Sequence, residues 1–135
     1  MRFEKTDDSR RKDCAVRAIS TATGRTYDEI AGMVMKYSKM ERTGKRKRSR
    51  SSISKGIYNY TIKKIMEELG WVWTPTMLVG TGCKVHLNDG ELPWGRLVVS
   101  VSKHLTCVIN GVIHDNHDCS RGGTRCVYGF WRASR

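Results

Sequence analysis

The sequence has no apolar run of the roughly 18 residues that a transmembrane helix needs, so no transmembrane helix is expected. Its opening stretch, MRFEKTDDSRRKDC, has no apolar centre, and a secretory signal peptide is not expected. None of its five cysteines forms a C-x-x-C pair and their number is odd. A disulfide framework is therefore not expected, and reduced thiols in the cytoplasm are the default. Helix-turn-helix, zinc-finger and RNP signatures are missing, which leaves sequence-specific DNA reading without support. Internal repeats and signs of a second domain are also missing, so one domain over residues 1–135 is expected. Acid is scarce: 13 Asp and Glu face 25 Lys and Arg, for a net charge of +12. That surplus favours a polyanionic neighbour and says nothing about the fold. Glutamine does not occur at all.

Two periodicities divide what is present. Asp13 is a good N-cap for a short helix over about residues 14–23, with Ala15, Ala18, Ile19 and Ala22 at helical spacing and Gly24 as terminator. Thr26 and Glu29 have capping-box spacing. They open a second helix, striped by Tyr27, Ile30, Ala31, Val34 and Tyr37, that runs to about residue 40. A third helix carries Tyr58, Ile62, Ile65, Met66 and Leu69 on one face, with Gly70 beyond its end. Strand signals follow in WVWTPTMLV, RLVVSVS, HLTCVINGVIHD and CVYGFW. The order predicts an α+β fold, with N-terminal helices packed on a small antiparallel sheet.

Asn110-Gly111 is a strong two-residue hairpin signal. It sets Ile109 opposite Val112, Thr106 opposite Asp115 and His104 opposite His117. Strand parity then puts His104, Thr106 and Asp115 on one face, with Asn116 on the other. His104 and Asp115 become diagonal neighbours, roughly 5.5–8 Å apart between backbones, so the carboxylate can reach the ring. A three-residue turn or a bulge would promote Asn116 instead. Cys14 stands at the start of the first helix. By itself it reads as a core thiol, because free cysteine is among the most buried residue types, and the His104–Asp115 geometry and the chain order bring the nucleophile reading level with that one. Beside a histidine, the helix N-terminus lowers a thiol pKa, as do the neighbouring Arg10, Arg11 and Lys12, while Asp13 opposes it. Cysteine, histidine and acid together form a nucleophilic triad.

In its order of DC at 13–14, a helical half and HLTCVINGVIHD at 104–115, the chain resembles the papain-like cysteine peptidases. The likeness is to the compact form seen in bacteriocin-processing peptidases and small phage-encoded relatives. The resemblance implies a hydrolase of peptide, isopeptide or related amide bonds, with Cys14 as nucleophile, His104 as base and Asp115 as orienting acid. It implies a peptide or protein substrate, no cofactor, no membrane, and the host cytoplasm if the chain is phage-encoded. In that family a glutamine before the cysteine serves the oxyanion hole. Here Ser9 or Asp8 stands in that region, and the Cys14 N–H can supply one donor.

His114, His117, Cys119 and Cys126, with Cys83 and His86, contain zinc-like spacings. His114 and His117 have opposite strand parity, and no metal site is expected. Residues 41–56 have no apolar periodicity, and positions 42–50 within them hold six basic side chains, Arg42, Lys45, Arg46, Lys47, Arg48 and Arg50. They read as an exposed, mobile loop suited to nucleic acid. An alternative to the enzyme is thus a catalytically inactive basic module that binds nucleic acid or a host protein. The four tryptophans fall in strand-like or turn contexts that point to core packing.

Overall fold

A computed structural model describes residues 1–6, 13–41, 49–54, 56–78 and 80–134. The elements run β1 (Arg2–Lys5), α1 (Cys14–Thr23), α2 (Tyr27–Ser38), α3 (Asn59–Glu68), β2 (Trp71–Pro75), β3 (Arg96–Val101), β4 (His104–Ile109), β5 (Val112–Asp115) and β6 (Val127–Ala133). The fold is α+β, with a six-stranded sheet in the order β1-β5-β4-β3-β6-β2. Among the described residues, no helix is long and apolar enough to cross a membrane.

The sheet is mixed, which corrects the expected small antiparallel one. β1 pairs in parallel with β5, setting Phe3 against Ile113 and Lys5 against Asp115. RFEK is four residues long and mostly exposed, so it carries no alternating pattern of its own. It becomes a strand because β5 would otherwise present an open edge.

Asp13 precedes α1, but its side chain makes no capping hydrogen bond. Its carboxylate instead accepts from Arg17 on one oxygen and from the Tyr27 hydroxyl, at 2.8 Å, on the other. A buried guanidinium one turn along competes better for the carboxylate than the helix amides do. Thr26 does cap α2, its hydroxyl accepting from Glu29 N–H at 3.1 Å. Gly24, with φ of 75°, ends α1 in the left-handed region, where glycine has no Cβ penalty.

Each sheet face carries its own core. On one, Val16, Ile19, Ile30, Val34, Ile65 and Met66 of the helices pack on Val98, Cys107 and Trp131. On the other, Leu97, Val99, Val108, Ile113 and Phe130 are covered by Leu87 and Cys119. Leu87 belongs to the Gly-rich stretch before β3, so that stretch covers the sheet rather than only connecting elements. Cys83 in the same stretch is disulfide-bonded to Cys126. The bond corrects the expectation of reduced thiols at these two positions. Leu87 N–H bonds Arg125 O, and Val127 N–H bonds Val85 O, so backbone pairing brings the two cysteines to a Cα separation of 5.9 Å. Cys14, Cys107 and Cys119 are free thiols.

Candidate active site

Two tight turns build the site. Between β3 and β4, residues 102–103 turn the chain with Lys103 at φ 55°, and Val101 pairs with His104. Arg125 fastens this turn by donating to Ser102 O. Between β4 and β5, Asn110 and Gly111 take φ values of 49° and 77°. The resulting register pairs Ile109 with Val112, Val108 with Ile113 and Cys107 with His114, as the two-residue turn requires.

The next step of that register brings Asp115 to His104. Asp115 Oδ2 lies 2.7 Å from His104 Nε2 and accepts from Thr106 Oγ1 at 2.6 Å, while Oδ1 accepts from Asn116 N–H at 2.7 Å. Asn116 does not take the place of the acid. Its side-chain oxygen lies 2.8 Å from His117 Nδ1. Asp115 is 4% exposed, so its charge is sheltered from water and held by three donors.

Cys14 is the first residue of α1, where helix N–H groups have no intrahelical acceptor. Burial opposes its thiolate. Hydrogen bonding with His104 and the Leu105 backbone, together with the charge on His104, outweighs burial, and the thiol pKa falls below its ordinary value. Burial likewise opposes the charge on His104. The hydrogen bond to Asp115, those to Cys119 and Cys14, and the Asp115 charge push its pKa up to about 11. Asp115, against its own burial, is held low by His104 and Thr106. Cys107 behaves oppositely: burial pushes it up to about 12. The surroundings therefore favour ionisation of the Cys14 thiol and oppose that of Cys107.

Cys14 and His104 both line a cleft of about 740 Å³ whose other walls include Ile53, Ile57, Tyr60, Trp73, Tyr128 and Trp131. The wall near residues 51–57 is anchored by Glu41, a buried carboxylate that accepts from Ser51 N–H at 2.6 Å and from the Ser51 and Thr61 hydroxyls.

Sequence reading missed Cys119, whose thiol comes close to His104 from beyond the hairpin, where strand parity no longer orders the chain. His104, Asp115 and Cys119 place potential metal-ligating atoms within 4.8 Å of one another. Nitrogen, oxygen and sulfur donors suit zinc, but this carboxylate already accepts three hydrogen bonds. Of the other histidines and cysteines grouped by spacing, Cys83 Sγ lies 3.5 Å from His86 Nε2, and the His117 ring centroid lies 5.2 Å from that of His104. Cys83 and Cys126 form the disulfide, His114 lies 3.5 Å from Glu4, and His86 lies 3.1 Å from Glu91.

Arg42, Lys45, Arg46, Lys47 and Arg48 lie outside the described residues, as do Asp8, Ser9, Arg10, Arg11 and Lys12. Arg50 is exposed, and its Nε donates to Glu41 O at 3.3 Å. No protein-family model, curated protein or solved structure matches the chain.

Proposed function

We propose that the protein is a papain-like cysteine hydrolase of amide bonds, with Cys14 as nucleophile, His104 as acid and base, and Asp115 as the group that orients the ring. The observation that carries the reading is the convergence, at one cleft, of a pKa-lowered thiol on a helix N-terminus with a histidine bonded to a buried carboxylate. The Cys14 thiolate attacks the carbonyl carbon and forms a C–S bond. The imidazolium protonates the amine as the C–N bond breaks. Imidazole then takes a proton from water, hydroxide attacks the thioester carbonyl, the C–S bond breaks to release the carboxylic acid, and the thiolate–imidazolium pair is restored.

The site has no glutamine to offer an oxyanion. The Cys14 N–H is one donor. Because Asp13 is turned away to Arg17 and Tyr27, its carboxylate does not compete for the first-turn amides. Labelling with iodoacetamide at pH 6–7, followed by peptide mapping, tests the reading. Cys14 should react at least about tenfold faster than Cys107 or Cys119, and His104→Ala should remove the difference. Equal labelling of the three thiols, insensitive to His104→Ala, would make Cys14 structural.

A further inference from the structure

We infer that the cleft selects peptides in which an aromatic side chain is flanked by an acidic one. The inference rests on the hydrolase reading for its reaction, and on the cleft walls alone for its recognition. Trp73 and Trp131 are directly paired across β2 and β6, with ring centroids 5.2 Å apart and planes at 51°. Trp131 is buried at 6% exposure, but Trp73 keeps 37% of its surface open. Its ring lies across Gly129: a Cβ built there would come 2.2 Å from the indole. Glycine at 129 thus seats Trp73 against the strand. On the same strand Ser100 pairs with Gly129 and Val101 with Val127, which leaves Tyr128 as the bulged residue. Bulges re-aim side chains, and Tyr128 lines the cleft while remaining 38% exposed. Two partly exposed aromatic rings that line the cleft, with the buried Trp131 indole beside Trp73, offer apolar surface to a third ring.

The polar lining adds a sign. Lys63 and Lys103 line the cleft, and among the described residues no carboxylate does. Lys63 lies 3.9 Å from Glu67, but at 65% and 57% exposure that pair is worth little. Lys103 is adjacent in sequence to His104, and both line the cleft. A peptide supplies the acyl carbon that the thiolate needs, along with a ring and a carboxylate at residue spacing. Nucleic acid also offers rings and negative charge but no acyl carbon.

Internally quenched peptides that vary Phe against Ala and Glu against Lys at each position would measure selectivity in kcat/KM. Fluorescence polarisation of the same peptides on the Cys14→Ala protein would measure recognition without chemistry. The expected result is at least tenfold selectivity for Phe flanked by Glu. Trp73→Ala, and separately Tyr128→Ala in case the first variant folds poorly, should lower kcat/KM for the Phe peptide more than for the Ala peptide. Lys103→Asn keeps a residue tolerant of positive φ and should weaken the preference for Glu over Lys. Selective binding by the Cys14→Ala protein without cleavage by the wild type would support the recognition and end the hydrolase reading. Cleavage without preference would leave the hydrolase and overturn the inference. Absence of both, or displacement of the peptide by single-stranded oligothymidine at lower concentration than by the unlabelled peptide, would also overturn it.

Discussion

Asp115 accepts hydrogen bonds from a ring, a hydroxyl and a backbone amide, and Cys119 and Cys14 further favour the charge on the ring it holds. The proton on His104 is therefore bound far more tightly in the folded protein than in the unfolded chain. Its pKa rises from 6.5 to about 11, so its contribution to stability is complete below pH 6.5. That contribution declines as pH rises further and is lost through about pH 11. Denaturant titrations of wild type and His104→Ala should accordingly show a stability difference that narrows as pH increases across this window. A difference that is constant or widens would contradict the imidazolium. The pairing of His104 with Asp115 was legible from residue identity, because Asn-Gly fixes a two-residue turn and strand parity does the rest. The contact with Cys119 was not, since no periodicity crosses the turns after β5. Asp13 was legible only as a helix boundary: capping preference describes an isolated helix end, and Arg17 and Tyr27 are tertiary competitors.

At the scale of elements, the three helices and β3 to β5 follow from apolar spacing, whereas β1 follows from its partner. A four-residue charged strand has no signature until another strand needs an edge. The segment containing Cys83, Val85 and Leu87 was likewise read as a connection, although Leu87 is fully buried against the far sheet face. Glycine-rich composition masks a few deeply placed apolar residues. The Cys83–Cys126 bond closes a loop of 43 residues, which by chain-entropy reasoning contributes about 4 kcal/mol. Replacing both cysteines by serine should lower the unfolding free energy by roughly 2–4 kcal/mol in denaturant titrations. Dithiothreitol should reproduce the loss in the wild type and have little effect on the double variant. Equal stability of wild type and double variant would remove the bond from any structural role.

Taken as a whole, the molecule carries +12 charge on 135 residues, and self-repulsion opposes its compact state. Raising sodium chloride from about 0.01 to 0.1 M shortens the screening length from about 30 to about 10 Å. The melting temperature should rise by a few degrees over that range; a flat or falling profile would mean that the basic side chains are already neutralised locally. The aromatic cleft belongs to this scale too, since Tyr128 faces it through a bulge and Trp73 through a glycine on another strand, relations no single segment encodes. The same distribution in sequence has a kinetic side. His104 and Asp115 are 11 residues apart on one hairpin, a contact that can form early and locally. Cys14 lies about 90 residues upstream of that hairpin, and β1 pairs across a still longer span, so both join only when distant parts of the chain meet. On the proposed hydrolase reading, the thiol would acquire its histidine last, and reactivity at Cys14 would report completed folding.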